Sequence, residues 1–148
     1  MKLKSLLFIV LLVFLANGCK KSSHEVIFHK SHEAKKQDAP FSDVVESNGF
    51  LFLSGQVGMD HETRTLVKGG IEAETRQCFE NIKAVLEHHD SSLDKVVKCT
   101  VILNNMDDFM IFNMIYKEYF SNKPARTTFA ANGLAVNALI EIDVIASK

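Results

Sequence analysis

Residues 123–130 read KPARTTFA, and after a short interval residues 140–145 read IEIDVI. Successive side chains of a β-strand point to opposite faces of its sheet, so each stretch predicts a strand with two distinct sides. Arg126 and Thr128 share one face of the first strand, and Glu141 lies on the acidic face of the second. If the two strands are neighbours, the guanidinium and the carboxylate face a common cleft.

An arginine and a glutamate in one cleft suggest a specific chemistry. A guanidinium can donate two parallel hydrogen bonds to a substrate carboxylate, and a partly buried glutamate can take a proton from water. Arg126 and Glu141 therefore suggest hydrolysis of a small molecule that carries a carboxylate. The alternative is that the two side chains form a structural ion pair.

Two amphipathic helices precede these strands. One is predicted over residues 72–89, and the other begins after a cap at Asn104 or Asn105, with a strand centred on residues 96–102 between them. Side chains at helical spacing predict the buried faces. These are Ile71, Cys78, Phe79, Ile82, Val85 and Leu86 in the first helix, and Phe109, Phe112, Tyr116 and Tyr119 or Phe120 in the second.

Three further strands are predicted before the first helix, at residues 25–29, 41–47 and 50–54. Asn48 and Gly49 join the last two of these, because both residue types tolerate positive φ in a two-residue hairpin turn. The strand at 50–54 is apolar on both faces, which favours burial on both. Residues 57–70 are polar and predict a loop or an irregular hairpin.

The resulting order is β-β-β-α-β-α-β-β, which predicts an α+β fold with one sheet covered on one face by two helices. The uncovered face is expected to include Val44 and either Leu51 or Phe52. Oligomerisation would cover that face.

Composition narrows the class of protein. A chain of 148 residues predicts one domain, and a formal net charge of -1 gives no reason to expect a nucleic-acid partner. Of the residues, 47% are hydrophobic, but part of that fraction belongs to an N-terminal leader rather than to the core.

The N-terminal residues resemble a targeting signal. Residues 1–18 carry lysines followed by an apolar run that is too short for a comfortable membrane span. Residues 15–19 read LANGC and resemble a bacterial lipoprotein box, which implies cleavage before Cys19 and lipidation of that cysteine. Residues 19–24 then form a polar tether, and the domain at 25–148 is expected to lie in the cell envelope, anchored to a membrane. A plain secretory signal or a membrane-anchored helix is the alternative.

Histidines and cysteines offer weaker signals. His24, His29 and His32 have a spacing that could hold a metal, or they are exposed side chains of a polar segment. Cys78 and Cys99 lie on predicted core faces and are either buried thiols or, in an oxidising compartment, a disulfide pair.

Several motifs occur in an order that resembles one family, the RidA/YjgF family of enamine and imine deaminases. They are Pro40–Asp43, Leu53–Gln56, Glu80–Leu86, Val96–Lys98, Asn113–Tyr116, Pro124–Arg126 and Ile140–Ile142. The resemblance covers residues 25–148. It implies a chorismate-mutase-like fold, a homotrimer with a closed inner barrel and clefts between subunits, and no metal or organic cofactor.

The same resemblance implies roles for individual residues. Arg126 would bind the substrate carboxylate, Glu141 would position or activate water, and Asn113 and Gly55 would line the cleft. The implied reaction converts 2-enamino or 2-imino acids, such as 2-iminobutanoate or 2-iminopropanoate, to 2-oxo acids and ammonia.

Two positions depart from the family pattern. The resemblance implies that Phe41 and Thr128 also contact the substrate, Thr128 through its backbone groups. Phe41 stands where members often have a tyrosine, and Thr128 stands where they often have a cysteine. These departures, together with the leader, favour two alternatives: a trimeric protein that binds small carboxylates without catalysis, or a hydrolase of another small carbonyl-derived ligand.

Overall fold

The computed structural model describes residues 25–148. The leader, the tether, His24 and the lipidation site at Cys19 lie outside the described residues, so the membrane anchor and the cell-envelope location stay predictions. Within residues 25–148, no helix is long and apolar enough to cross a membrane.

The elements follow the predicted order, with three short strands between the third strand and the first helix. The helices are α1 (Gly70–His88) and α2 (Phe109–Tyr119). The strands are β1 (Val26–His29), β2 (Val44–Ser47), β3 (Phe50–Leu53), β4 (Gln56–Val57), β5 (Met59–Asp60), β6 (Thr65–Leu66), β7 (Val96–Leu103), β8 (Ala125–Ala130) and β9 (Ile140–Ser147).

The main sheet has the strand order β1-β2-β3-β9-β7-β8, and β4 extends it by pairing with β9. All pairings are antiparallel except that of β7 with β8, which is parallel. A parallel pair needs a crossover connection, and α2 supplies it. The predicted α+β architecture is therefore confirmed, with β8 at one edge of the sheet and β1 at the other.

Both helices pack on one face of the sheet. All of the predicted core residues of α1 are buried, as are Phe112, Tyr116 and Phe120 in and after α2. Phe109 and Tyr119 pack partly buried against them. Strand β9 alternates strictly, with Ile140 and Ile142 fully buried. This alternation confirms the predicted two-sided strand.

The third strand differs from its prediction. Leu51 and Leu53 point into the core, whereas Phe50 and Phe52 are 40% and 42% exposed on the open face of the sheet. The run is apolar on both faces, but two helices cover only one of them. Val44, expected on the uncovered face, is also fully buried in the core.

Strand β2 begins at Val44, so Phe41 precedes it. The strand starts later than predicted for two reasons. Pro40 has no N–H to donate to a neighbouring strand, and the side chain of Asp43 makes an ion pair with the ammonium of Lys36. The hairpin at Asn48 and Gly49 is confirmed, with φ of 53° and 77° at those two residues. Strands β5 and β6 form the irregular hairpin expected between residues 57 and 70.

His29 and His32 each pack against a histidine at the end of α1, and His24 lies outside the described residues. The ring of His29 lies 4.5 Å from that of His89, and the ring of His32 stacks 4.6 Å from that of His88. Within residues 25–148, no group of three His, Cys, Asp or Glu side chains is arranged to hold a metal. The two cysteines of this part of the chain are buried free thiols, Cys78 and Cys99.

Asn81 of α1 provides a test of how the fold is held together. Its Nδ2 donates to the carbonyl oxygens of Val57 at 3.1 Å and Met59 at 2.9 Å. The Asn81→Ala variant leaves both carbonyls without that donor, so we expect the free energy of unfolding to fall by about 2 kcal/mol. Urea unfolding measures this loss, and Lys83→Ala, at an exposed position of the same helix, is the control. Equal stability of the two variants would contradict the assigned role.

Candidate functional site

The two residues that the sequence singled out lie in separate cavities. The arginine cavity, of about 680 Å³, is lined by Asn113, Tyr116, Lys117, Phe120, Ser121, Lys123, Pro124 and Arg126. The glutamate cavity, of about 250 Å³, is lined by Lys36, Phe41, Gly55, Gln56, Val57, Met59, His61, Arg64, Ala135, Val136 and Glu141.

Arg126 is held in position from two sides. Its Nη2 donates to Asn113 Oδ1 at 3.0 Å, and its Cζ lies 4.4 Å from the centre of the Tyr116 ring. The rings of Phe112 and Phe109 lie 5.2 and 5.7 Å away. Aromatic faces attract a guanidinium without using its N–H donors, so most of those donors stay available for a ligand.

Arg126 has no carboxylate partner within 4.0 Å in the part of the chain that the structure describes. Thr128, two residues on and on the same face of β8, has a buried hydroxyl for which residues 25–148 provide no hydrogen-bond partner. Buried polar atoms are nearly always paired, so an orphan hydroxyl beside an uncommitted guanidinium indicates a site for a polar ligand.

Glu141 occupies the floor of the glutamate cavity on the open face of the sheet. Burial, together with the charge of Asp143, raises the pKa of its carboxyl above the usual value for glutamate. A carboxyl with a raised pKa is suited to exchange protons near neutral pH. Gly55 lies directly against it, and a β-carbon at that position would overlap Glu141 Oε1. The absence of a side chain at Gly55 therefore fixes where the carboxyl lies.

Buried polar side chains of α1 hold the walls of the glutamate cavity. Asn81 binds the carbonyls on either side of Gly58, as described above. Glu74 is only 5% exposed, and one of its carboxylate oxygens accepts the N–H of Leu139 at 2.8 Å. This bond ties the segment before β9 to the helix. Within that segment Val136 has a φ of 54°, which is strained for a β-branched residue.

Lys36 and Phe41 form the outer wall. The ammonium of Lys36 makes an ion pair with Asp43, which is 2% exposed, and lies 3.5 Å from Gln56 Oε1. It also lies 5.9 Å from the centre of the Phe41 ring. Phe41 remains 54% exposed and presents its ring to the cavity.

The structure does not bring Arg126 and Glu141 together within one chain. Arg126 pairs in register with Cys99 of β7, which pairs with Val144 of β9, so these residues share the helix-covered face. Glu141 lies three residues from Val144 and therefore points to the opposite face. The condition for a common cleft, that the two strands be neighbours, is not met within one chain, because β7 lies between β8 and β9. For the same reason the two side chains do not form an ion pair within one chain.

The predicted site residues thus divide into two groups. Arg126, Asn113 and Thr128 belong to the helix side of β8, and Gly55, Phe41 and Glu141 belong to the glutamate cavity. Sequence reasoning missed the cations of that cavity, Lys36, His61 and Arg64, and the buried positioning residues Glu74 and Asn81. Only the polar character of Glu74 and Asn81 on an otherwise apolar helix face could have indicated them.

Comparison with known proteins matches this sequence and this fold. The family model described as Endoribonuclease L-PSP matches residues 31–148. A RutC family protein of Pyrococcus horikoshii is 45% identical over 125 residues, covering 84% of this chain and 98% of that protein.

Solved structures agree. RidA from an Antarctic Psychrobacter has a TM-score of 0.76 and 32% identity, covering 82% of this chain and 99% of its own. Escherichia coli TdcF with bound serine has a TM-score of 0.69 and 26% identity, covering 74% of this chain and 88% of the TdcF chain. The chain therefore belongs to the Endoribonuclease L-PSP family, the family of the RidA, YjgF and RutC proteins.

Proposed function

We propose that this protein hydrolyses 2-imino acids, and their 2-enamino tautomers, to 2-oxo acids and ammonia. The observation that carries the proposal is that the Arg126 guanidinium is held in position without a carboxylate partner in residues 25–148. Its guanidinium is fixed by Asn113 and aromatic rings, yet no carboxylate of residues 25–148 neutralises it. A guanidinium held in this way can bind a substrate carboxylate through two parallel hydrogen bonds.

The complete site is proposed to form between two copies of the chain. Arg126 and Thr128 lie on an edge strand, and Glu141 lies on an open sheet face that also exposes Phe50, Phe52 and Phe129. An apolar open face favours association with a second copy. Placing the β8 edge of one copy against the glutamate cavity of the next completes the site, and a homotrimer closes such a head-to-tail arrangement.

In the proposed mechanism, Arg126 holds the carboxylate of the protonated imine, which fixes the electrophilic carbon beside a water molecule. Glu141 takes a proton from that water while the water oxygen bonds to the imine carbon. The C=N double bond thereby becomes a single bond. Glu141 then returns the proton to the nitrogen of the carbinolamine. The C–N bond then breaks, and the hydroxyl group loses its proton to become the carbonyl of the 2-oxo acid. The released ammonia takes up that proton and leaves as ammonium. The hydroxyl of Thr128 is placed to hydrogen-bond the substrate.

A second candidate is binding of a small carboxylate without hydrolysis. The bound serine of TdcF, a protein of the same fold, is an amino acid of this size. Cleavage of RNA, which the family description names, receives less support from this chain. Its net charge is -1, and Glu141 and Asp143 place carboxylates on the open sheet face, where they would repel a phosphate backbone.

The first test replaces Arg126. With 2-iminobutanoate generated in place by an amino-acid oxidase, and semicarbazide as the competing trap, the wild type should suppress semicarbazone formation. Arg126→Ala should raise KM about a hundredfold, because two charge-assisted hydrogen bonds are lost. Arg126→Lys keeps the charge without the fork and should lie between. Arg76→Ala, an arginine outside both cavities, is the control. Normal turnover by Arg126→Ala would overturn the mechanism, and no turnover by a folded wild type would favour carboxylate binding alone.

The second test uses pH. Glu141 must be deprotonated to act as a base, and its pKa is raised, so kcat/KM should fall on acidification at a pH above the usual range for glutamate. Asp143 contributes to that raised pKa through its charge. Asp143→Asn should therefore shift the acidic limb of the pH profile to lower pH, whereas Asp94→Asn at an exposed position should not. A limb that does not respond to Asp143→Asn would argue against Glu141 as the titrating base.

The third test asks whether the site is shared between copies. Arg126→Ala and Glu141→Gln are each expected to be inactive. When the two variants are unfolded together and refolded as a mixture, about a quarter of the shared sites should receive an intact arginine from one copy and an intact glutamate from the other. Activity should return to that fraction of the wild-type value. No recovery in a mixed oligomer would show that the two residues do not cooperate across an interface.

A further inference from the structure

The glutamate cavity is lined by cationic side chains that the proposed mechanism does not use. Three cationic or potentially cationic side chains line it, Lys36, His61 and Arg64, against the single carboxyl of Glu141. Two of the three are already paired. Lys36 is bound to Asp43, and His61 Nδ1 lies 3.4 Å from Glu33 Oε1.

Arg64 differs from these two. In the described part of the chain, residues 25–148, no carboxylate oxygen lies within 4.0 Å of its guanidinium. Nor does its side chain donate a hydrogen bond to any residue there. Arg64 is therefore a cation at the rim of a small cavity with all of its donors available to a ligand.

The turn that carries Arg64 is well ordered by its own hydrogen bonds. Asp60 Oδ1 accepts the N–H groups of Glu62 at 2.9 Å and Thr63 at 2.8 Å, and the Asp60 carbonyl accepts the N–H of Arg64 at 2.9 Å. Arg64 itself has a φ of 59°, in the left-handed region that long side chains seldom adopt. The turn thus holds the backbone of Arg64 in a defined place at the cavity, which reduces the entropy lost when a ligand binds.

From this arrangement we propose that the substrates are 2-imino dicarboxylates, whose distal carboxylate binds Arg64 beside His61 while the reacting carbon faces Glu141. This inference rests on the proposed function, in which Arg126 of the neighbouring copy binds the carboxylate next to the imine. A substrate held by its two ends presents the imine carbon between them.

The first experiment compares two imines of equal chain length, 2-iminoglutarate and 2-iminopentanoate, which differ by the distal carboxylate. Each is generated in place by an amino-acid oxidase from glutamate or norvaline, with semicarbazide as the trap. We expect kcat/KM to favour 2-iminoglutarate about tenfold or more, the value of a charge-assisted hydrogen bond. Arg64→Gln should remove most of this preference, and Arg64→Lys should retain part of it. Lys68→Ala, an exposed cation of the same segment that does not line the cavity, should retain all of it.

A second experiment does not depend on catalysis. Calorimetry measures the binding of 2-oxoglutarate and 2-oxopentanoate, the stable products of the same pair, to the wild type and to Arg64→Gln. Tighter binding of 2-oxoglutarate, lost in Arg64→Gln, supports the inference even if neither imine is hydrolysed, in which case only the proposed function fails. Equal binding of the two acids, or a preference that Arg64→Gln leaves unchanged, overturns the inference. If 2-iminopentanoate is hydrolysed as well as 2-iminoglutarate, the deaminase function stands and the dicarboxylate preference falls.

Discussion

The position of β7 between β8 and β9 is the constraint on which the arrangement of the site depends. β7 pairs in parallel with β8 and antiparallel with β9, so the side chains of all three strands are locked to one register. In that register Arg126 faces the helices and Glu141 faces away from them. A one-residue slip of β9 would exchange the core residues Ile140, Ile142 and Val144 with the acidic ones, and the free-energy cost of burying those carboxylates excludes it.

This register accounts for the incomplete character of a single chain. One cavity has an arginine fork and an orphan hydroxyl but no acid to activate water. The glutamate cavity has a carboxyl with a raised pKa, but it lacks Arg126, the residue proposed to bind the carboxylate next to the imine. The open face that carries Glu141 also exposes phenylalanines that a single layer of helices cannot cover. Association with a second copy of the chain would both complete the set of catalytic residues and cover the apolar face.

Within the glutamate cavity, the geometry depends on buried polar groups rather than on the apolar core. Asn81 and Glu74 lie on the inner face of α1 and bind backbone groups of the segments on either side of the cavity. Gly58 packs so closely on Glu74 that a β-carbon there would meet it at 2.5 Å. Burial raises the pKa of Glu74, but the N–H of Leu139 gives it a partner. Helix α1 therefore both completes the core and holds the cavity open.

The electrostatics of the two cavities follow from the same packing. Arg126 is surrounded by aromatic rings and an amide, which position it without neutralising it. Glu141 is half-buried beside Asp143, which disfavours its charged form. Arg64 lies on a turn fixed by Asp60, where its charge is exposed to whatever enters the cavity. Strand pairing holds the backbone of Arg126 and Glu141, and a local turn holds that of Arg64, while each functional group keeps its capacity to bind.

The sequence by itself determined the order of the elements, because helical and strand periodicities are local and the apolar residues of α1, α2 and β9 follow them closely. It also singled out Arg126, Glu141 and Gly55 as candidates, since unusual residues at strand positions and recurring motifs are visible without coordinates. It could not determine that β7 lies between β8 and β9, so whether Arg126 and Glu141 face one cleft of a single chain depended on an assumption about strand neighbours. It also buried both faces of β3, because the pattern of a strand does not reveal which face its neighbours cover. Only the tertiary structure decided which cations meet at Glu141. Lys36, His61 and Arg64 come from polar segments whose local sequence has no period, and long-range pairing of the strands brings them together.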